Sequence, residues 1–378
     1  MNKIQTVKNN IATGIRSVLP VVVKGNPRQP ASHILLTGSA GEFWLTGCNY
    51  FTQVKVRVAE ARIEGEVNMS VPGHFLKDLV GAMKSEIEIM PVDDEAVAVV
   101  TGGQGWKSTS TIRAALPGEH FPYVIFDDSV PPLVVPASTL LEAVTKVYHF
   151  VMKEEKYHEE SVLQGVNIVI RDGNITSVGT DKKTLATMTE PVALPDMEMV
   201  IDAQALAVLI KHLPDVDTVS VYLNHEKIMF RLPGFELVGK LLSGGFPDYE
   251  RVIPKDKLGT VTVSKQALME ALDKLVKLSL YADKEKQFIR FSFTEDRIVL
   301  ESNNLFGSAQ TETEAKIDGS PCGFHLFTSQ LTKALNAIDD TAEIEIGVTE
   351  GFKNKYAGPV VMSVGNHKQI IMPLNLEG

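Results

Sequence analysis

Apolar residues recur along the chain at the three- and four-residue spacing of an amphipathic helix. One series of stretches covers residues 7–19, 136–153 and 264–280. A second series begins at Pro72, Asp202 and Thr328. Within each series the stretches start about one domain length apart, so the pattern predicts three repeats with two helices each.

Between these stretches the pattern changes to short alternating runs bounded by turn residues. Residues 166–170 are apolar except for Asn167 and lead into an Arg-Asp-Gly-Asn turn, and residues 288–293 alternate before the Glu295-Asp296 turn. Such runs predict strands joined by hairpins. Because amphipathic helices must bury their apolar faces, the combination predicts an α+β fold with helices packed on antiparallel sheets.

A proline-containing ending marks each repeat, at Pro122, Pro247 and Pro373. The intervals between these prolines are 125 and 126 residues, which is the size of a domain. Proline-rich residues 130–133 and charged residues 254–257 are typical of boundaries. We therefore predict three domains, at residues 1–131, 132–255 and 256–378.

Composition narrows the class of protein further. The 378 residues are 44% hydrophobic and 22% charged, as in ordinary globular proteins. There is no apolar run of about 18 residues for a membrane span, and the start of the chain lacks the apolar core of an export signal. Because an export signal is not found, Cys48 and Cys322 are expected to be reduced thiols. The sequence predicts a cytoplasmic protein with no membrane association, metal or cofactor.

The charges are distributed unevenly. The whole chain carries a formal charge of −10, whereas the predicted helices carry eleven basic and five acidic side chains. One interpretation is an excess of lysine on solvated helix faces. The alternative is a helical surface that collects cations for a polyanion while the rest of the protein stays acidic.

Several segments suggest other chemistry but are better explained as ordinary structure. Residues 101–108 lack the Gly before Lys107 that a phosphate loop requires, so a hairpin is favoured. His149 and His158, among four glutamates, have no convincing metal-ligand spacing. Asn174-Ile175-Thr176 matches a glycosylation sequon but is interpreted as a turn. An enzyme built on these histidines remains a minor alternative.

Three segments carry a specific resemblance. They are Gly245-Phe246-Pro247-Asp248-Tyr249-Glu250-Arg251-Val252-Ile253-Pro254, Leu163-Gln164-Gly165 followed by Thr180-Asp181 and Leu185-Ala186, and Met372-Pro373-Leu374-Asn375-Leu376. In this order they resemble the bacterial replicative sliding clamp, the beta subunit of the chromosomal DNA polymerase. The threefold repeat and the total length extend the resemblance over essentially the whole chain.

The resemblance implies a six-domain ring, formed by a head-to-tail homodimer around duplex DNA, with helices lining the hole. Sequence-independent phosphate contacts would suit a protein that slides. The implied function is a non-catalytic processivity factor; the alternative for each basic candidate is an ordinary surface cation. The candidate DNA-binding residues are Lys8, Arg16, Arg28, Lys77, Lys146, Lys153, Lys211, Lys274, Lys277 and Lys333.

The resemblance also implies a pocket for short linear motifs of the replicative polymerase and the clamp loader. The residues at the matching positions would form an apolar slot with a few polar groups at its rim. The alternative is that they simply close the core between domains. The matching positions are Leu163, Thr180, Leu185, Pro247, Arg251, Val252, Ile370, Met372, Pro373 and Leu374.

The chain departs from the family pattern around this pocket. Lys182-Lys183-Thr184 stands where most members have Gly-His-Arg, and Asn375 replaces an Arg. Gln330 takes the place of an aromatic residue on the last helix, and Glu377-Gly378 extends past the usual end. These departures indicate a divergent bacterial clamp, or one encoded by a phage or plasmid.

Two further expectations follow. A ring would close through edge strands, for which residues 108–114 and 287–293 are the candidates. The main alternative function is a scaffold of the same fold that binds peptides without encircling DNA. Loss of the ring interface or of salt-dependent sliding on DNA would favour that scaffold.

Overall fold

Six α-helices lie in the residues that the computed structural model describes, which are 2–84, 86–103, 106–153, 162–351 and 357–374. Their apolar stripes are buried, as the spacing predicted; in the fifth helix Leu268, Leu272 and Leu275 are at most 2% exposed. The helices are α1 Lys8–Val18, α2 Gly73–Ala82, α3 Ala137–Thr145, α4 Ala203–Leu209, α5 Lys265–Ser279 and α6 Thr328–Asn336.

The two middle helices are shorter than predicted. Beyond α3 the chain turns through a 3₁₀ segment, Tyr148–Phe150, which buries Val147 and Phe150 completely. Beyond α4 another 3₁₀ segment contains Pro214, which has no N–H for an α-helical hydrogen bond. Lys146, Lys153 and Lys211 therefore lie after the helices rather than on them.

The strands of the first half of the chain are β1 Lys3–Val7, β2 His33–Ser39, β3 Glu42–Cys48, β4 Gln53–Val58, β5 Arg62–Glu64, β6 Val67–Pro72, β7 Glu86–Asp93, β8 Ala96–Gly103, β9 Trp106–Arg113, β10 Leu116–Pro117, β11 Leu133–Pro136, β12 Gly165–Arg171, β13 Asn174–Thr180 and β14 Thr184–Pro191. The second half contributes β15 Met197–Asp202, β16 Thr218–Leu223, β17 Lys227–Leu232, β18 Phe235–Lys240, β19 Gly259–Ser264, β20 Phe288–Phe293, β21 Arg297–Asn304, β22 Gly307–Glu314, β23 Lys316–Gly319, β24 Phe324–Phe327, β25 Glu343–Val348, β26 Val360–Val364 and β27 His367–Ile371.

These elements form two compact units. Unit 1 comprises Met1–Ser138 and Gln204–Leu241, and unit 2 comprises Thr139–Ala203 and Leu242–Gly378. Unit 1 holds the sheets β5-β1-β7-β8-β9 and β10-β6-β2-β3-β4-β18-β17-β16-β11. Unit 2 holds β15-β12-β13-β14-β27-β26-β25-β19-β23 and β22-β21-β20-β24. The α+β fold with helices on antiparallel sheets is confirmed.

The nine-stranded sheet of each unit joins two distant parts of the chain. In unit 1, β4 pairs with β18 so that Gln53 lies opposite Val238. In unit 2, β14 pairs with β27 so that Leu185 lies opposite Ile370. Strands of the predicted middle domain therefore belong to both sheets, and the boundaries at 131 and 255 stay a prediction.

A glycine close to a helix end supports the internal repeat. A side chain on Gly47 of β3 would place its Cβ 2.7 Å from the Val18 carbonyl oxygen, at the end of α1. In unit 2, a Cβ on Gly179 of β13 would lie 2.5 Å from the carbonyl oxygen of Val147, after α3. Both positions require glycine because only its backbone allows so close an approach.

One predicted edge strand is correct and one is wrong. Strand β9 is the outer strand of its sheet, as predicted for residues 108–114. Residues 288–293 form β20, which lies between β21 and β24, so the terminal strands of that sheet are β22 and β24. The alternation in β20 buries Ile289 and Phe291 on one face, and that pattern does not distinguish an inner strand from an edge.

Among the described residues, no helix is both long and apolar enough to cross a bilayer.

Candidate functional site

The floor of the candidate pocket is a row of side chains across three neighbouring strands of unit 2. Thr180 of β13 lies opposite Leu185 of β14, and Leu185 lies opposite Ile370 of β27. All three are at most 8% exposed. Leu185 and Ile370 pack with Val178, which gives the row an apolar surface.

A segment that follows β18 covers part of this floor. Phe246, Tyr249 and Ile253 are partly buried against the floor residues. Between them, Pro247 and Val252 point towards solvent, and Val252 is 52% exposed. The spacing gives the segment one face that packs and one face that is available to a ligand.

Arg251 lies on the solvent side of the same segment. Its Nε is 2.7 Å from Asp248 Oδ2, and its side chain is 84% exposed. A pair this exposed contributes little to stability, so the guanidinium can exchange partners at small cost.

The chain after β27 forms a second border of the pocket. Met372 N donates a hydrogen bond to the Lys183 carbonyl at 3.0 Å, and Leu374 N donates to the His325 carbonyl at 2.9 Å. Met372 is 47% exposed, whereas Pro373 and Leu374 are partly buried. Asn375 and the residues after it lie outside the described part of the chain.

A tight turn connects β13 to β14 at the rim. Asp181 Oδ1 accepts hydrogen bonds from the backbone N–H groups of Lys183 and Thr184, at 3.0 and 2.7 Å. Lys182 has a φ of +72°, in the left-handed region that favours glycine. This geometry explains the Gly of the family pattern at this position, and the chain places two exposed lysines there instead.

The predicted pocket residues thus divide into floor and rim. Leu163, Thr180, Leu185 and Ile370 are buried, while the other predicted positions border the floor or face solvent. Phe246 and Tyr249 were missed as lining residues. They belong to the very motif that suggested the pocket, so their aromatic character was the available signal.

The corresponding place in unit 1 is closed by its own chain. There Phe121 and Val124 are buried with Val238, and Phe126 packs against the same cluster. Val124 N donates to Gln53 Oε1 at 3.0 Å, at the position where unit 2 has Leu185. A glutamine amide therefore anchors the covering segment in unit 1, at the position where unit 2 has the apolar side chain of Leu185.

The predicted DNA-binding cations fall into distinct groups. Arg28, Lys153, Lys211 and Lys274 are exposed. Three more are exposed and have nearby partners. Arg16 donates to Thr13 Oγ1 at 2.8 Å, Lys77 lies 3.5 Å from Asp78, and Lys277 lies 2.7 Å from Asp273.

Three candidates are tied into the fold, contrary to their predicted place on an open face. Lys146 is 7% exposed, with its Nζ 2.6 Å from Asp339 Oδ1. Lys8 Nζ donates to the carbonyls of Gly81 and Met83, both at 2.7 Å, at the end of α2. Lys333 pairs with Asp181. The helical spacing located these lysines near the polar face but could not show the acceptors that bind them.

The segments considered for other chemistry adopt ordinary structure where it is described. No group of three potential metal ligands occurs among the described residues. The His149 ring lies 3.7 Å from that of Tyr148 between centroids, tilted by 39°, and burial and then the charges of Lys153 and Lys333 lower the pKa of His149. His158 lies outside the described residues. Residues 101–108 fall in the β8–β9 hairpin, whose residues 104–105 are also outside.

Comparison with known proteins identifies the same relationship over the whole chain. The beta sliding clamp of Synechococcus elongatus is 23% identical over 385 residues, covering 98% of both chains. That of Pseudomonas putida is 24% identical over 371 residues, covering 96% of this chain and 94% of its own. The crystal structure of the DNA polymerase III beta subunit from Thermotoga maritima has a TM-score of 0.83 at 21% identity, over 100% of both chains.

Family models locate the match along the sequence. The model for the central domain of the DNA polymerase III beta subunit matches residues 134–248, and the model for its C-terminal domain matches residues 250–375. These stretches together exceed half of the chain and contain the whole candidate pocket. The chain therefore belongs to the family of DNA polymerase III beta subunits, the bacterial beta sliding clamps.

Proposed function

We propose that this chain is a DNA sliding clamp, a non-catalytic processivity factor that works in the cytoplasm. Two copies would close around duplex DNA and tether the replicative polymerase and the clamp loader. The observation that carries the proposal is the match of the fold to a DNA polymerase III beta subunit over the full length of both chains. Low sequence identity is consistent with a divergent member.

Ring closure is proposed through two terminal strands, β9 of one copy and β22 of the other. Unpaired edges favour strand addition, and a head-to-tail contact must close after two copies to avoid a filament. The charges are complementary, since β9 carries Lys107 and Arg113 whereas β22 carries Glu312 and Glu314. This assignment replaces the expectation for residues 287–293.

Exposed apolar residues next to β22 support a contact on that side of unit 2. Leu305 and Phe306, in the β21–β22 turn, are 98% and 76% exposed. The Phe306 ring lies 6.1 Å from that of Tyr281, itself 71% exposed. Such a cluster is costly to leave in water, and a second copy of the chain is the occupant we propose.

Contact with DNA would rest on the exposed cations Arg28, Lys153, Lys211 and Lys274. Phosphate contacts carry no base information, so the protein could move along the duplex. The overall charge of −10 would oppose tight non-specific binding, so retention would depend on enclosure of the duplex. This distinguishes a clamp from an ordinary DNA-binding protein.

Retention on circular DNA tests the proposal directly. The protein is loaded onto a nicked plasmid with its cognate loader, and the complex is isolated by gel filtration in high salt. We expect retention that is lost when the plasmid is linearised, because a ring slides off free ends. Replacement of the four exposed cations by Glu should reduce loading.

The controls separate the clamp from the alternative scaffold. Glu substitution of Lys316 and Lys368, two exposed lysines of unit 2, tests whether added negative charge alone matters. Equal retention on circular and linear DNA would contradict enclosure. A protein that binds peptides yet is never retained on the circle would be the peptide-binding scaffold.

The pocket is proposed to bind peptides with a polar residue followed by Leu or Phe. Leu185 and Ile370 offer an apolar floor for one or two anchors, which usually carry most of the affinity. The exposed lysines at 182 and 183 add positive charge at the rim, so acidic flanking residues should be favoured. Fluorescence anisotropy with acidic and neutral peptides at low salt measures this preference; equal affinities would refute it.

A further inference from the structure

The ammonium group of Lys333 on α6 is held at the rim of the pocket. Its Nζ lies 2.7 Å from Asp181 Oδ2 and 2.6 Å from Thr184 Oγ1, and 5.0 Å from the centre of the Phe150 ring. The side chains of the ion pair are 21% and 26% exposed. Burial alone would raise the pKa of Asp181, but Lys333 and the hydrogen bonds from Thr184 hold it below its usual value.

The turn itself does not require this charge. In unit 1 the corresponding turn is formed by Asn49, whose Oδ1 accepts from the backbone N–H groups two and three residues later, at 3.1 and 2.7 Å. Asp181 makes the same two bonds at 3.0 and 2.7 Å. The next residues, Tyr50 and Lys182, have φ values of +74° and +72°. A neutral amide therefore shapes the same turn, and the carboxylate of Asp181 has the additional role of binding Lys333.

The turn at residues 181–184 also holds the second border of the pocket, which is the chain after β27. The Lys183 carbonyl accepts the hydrogen bond from Met372 N, and Leu374 is bound two residues later to the strand that leads into α6. The ammonium group of Lys333 thus binds the same turn whose Lys183 carbonyl fixes Met372. A shift of Asp181 would move the Lys183 carbonyl and release this border.

We infer that Lys333 is a positioning residue of the peptide pocket: it ties Asp181 to α6 and so fixes the position, though not the shape, of the turn at residues 181–184 and, with it, the place of Met372. The inference rests on the proposed function and deepens it. It also replaces the expected role of Lys333 as a DNA contact. The side chain acts through another residue and need not touch the peptide.

The test measures peptide affinity and local backbone exchange in the full-length protein. The variants are Lys333→Met, Asp181→Asn, the two combined, and Lys333→Arg as the conservative replacement. Lys316→Met, on β23 of the same unit, removes an exposed lysine as the control. The probe is a fluorescein-labelled peptide with a polar residue followed by Leu and Phe.

We expect each single variant to bind the peptide about tenfold more weakly, and the double variant to bind no more weakly than either, since both lose one interaction. Lys333→Arg should retain most of the affinity. Hydrogen–deuterium exchange should rise at residues 182–184 and 372–374 while β21 and the Lys316→Met control stay unchanged.

Different outcomes identify different failures. Wild-type affinity in Lys333→Met would overturn this inference alone, as would loss of DNA retention with peptide affinity intact. Faster exchange throughout unit 2 would show that Lys333 serves general stability, and would also overturn it. If the wild-type protein bound none of the peptides, the proposed pocket would fall, and this inference with it.

Discussion

Lys146 and Lys274 have the same charge and were predicted to have the same role, yet their surroundings differ. The Lys146 side chain is 8% exposed beside Asp339 and Glu142, whereas Lys274 is exposed on α5. A carboxylate in place of a buried cation would be poorly solvated and would have no counter-charge. The same substitution should therefore have different effects at the two positions.

Lys146→Glu is expected to lower the free energy of unfolding by about 3 kcal/mol, because it places a third carboxylate beside two others. Lys274→Glu should change it by no more than about 0.5 kcal/mol. Urea unfolding followed by circular dichroism compares the two. Equal stabilities would show that the Lys146 site accommodates either charge.

His367 makes the stability of unit 2 depend on pH. Its side chain is 3% exposed, and burial, followed by the nearby charge of Lys146, lowers its pKa to about 4. Between this value and the usual value of 6.5, the unfolded chain binds a proton that the folded chain does not. The contribution of His367 to stability is therefore intact above about pH 6.5 and is lost as the pH falls towards 4.

The expected loss is about 3 kcal/mol, at about 1.4 kcal/mol per pKa unit. His367→Asn keeps a polar side chain without a titrating group, so its stability should fall less steeply between pH 7 and 4. Urea unfolding at a series of pH values measures both slopes. Parallel slopes in the two proteins would exclude His367 as the cause.

For single residues, the sequence predicted the position of a side chain better than it predicted the groups that the side chain contacts. Leu185 and Ile370 were assigned to one pocket from the resemblance, and they lie opposite each other on β14 and β27. Lys333 was assigned to DNA because its acceptor, Asp181, lies 152 residues away and no local pattern links them. Helical spacing indicates on which face of a helix a residue lies. Contacts between distant segments form only when the sheet has folded, so the spacing does not predict them.

The segment after β27 is the element on which the pocket depends most. Met372 is tied to Lys183, so residues 372–374 border the floor without belonging to the nine-stranded sheet. Deletion of Met372–Gly378 should abolish peptide binding and leave the dimer intact. Met372→Ala should weaken binding by about 1–3 kcal/mol if its side chain contacts the anchor. Anisotropy and light scattering report the two properties separately; loss of both together would place this segment in the ring interface.

The edge strand β9 offers a test of ring closure. Thr109 and Ser110 are consecutive, so one of them directs its N–H away from β8. Proline at that position should leave the fold intact and block pairing with a second copy. Light scattering should then give a mass near 41.4 kDa instead of twice that value. A folded proline variant at each position that still dimerises would exclude β9 as the contact.

Elements were predicted with uneven success, for a physical reason. The long stripes of α1 and α5 matched, because many apolar positions share one period. The α3 region was predicted to extend to residue 153, but Val147 and Phe150 are buried by a 3₁₀ segment that uses similar spacing. The edge at residues 287–293 was wrong because alternation reports a buried face and carries no information about neighbouring strands.

The repeat of the sequence and the packing of the folded molecule follow different boundaries. Proline spacing revealed a period of 125–126 residues, whereas β4–β18 and β14–β27 pair segments that are far apart in the chain. Local patterns could reveal the period because each repeat has similar elements. They could not reveal that the middle repeat shares its strands between two units.

The strands that the middle repeat shares with both units limit how the protein can be divided into fragments. A fragment cut at residues 132 and 255 would follow the sequence period, yet it would lose β4 from beside β18 and β27 from beside β14. Strands β18 and β14 would then present unpaired N–H and C=O groups along one edge, and such edges associate with one another. The stretch that looks most like a self-contained module should therefore aggregate when expressed alone.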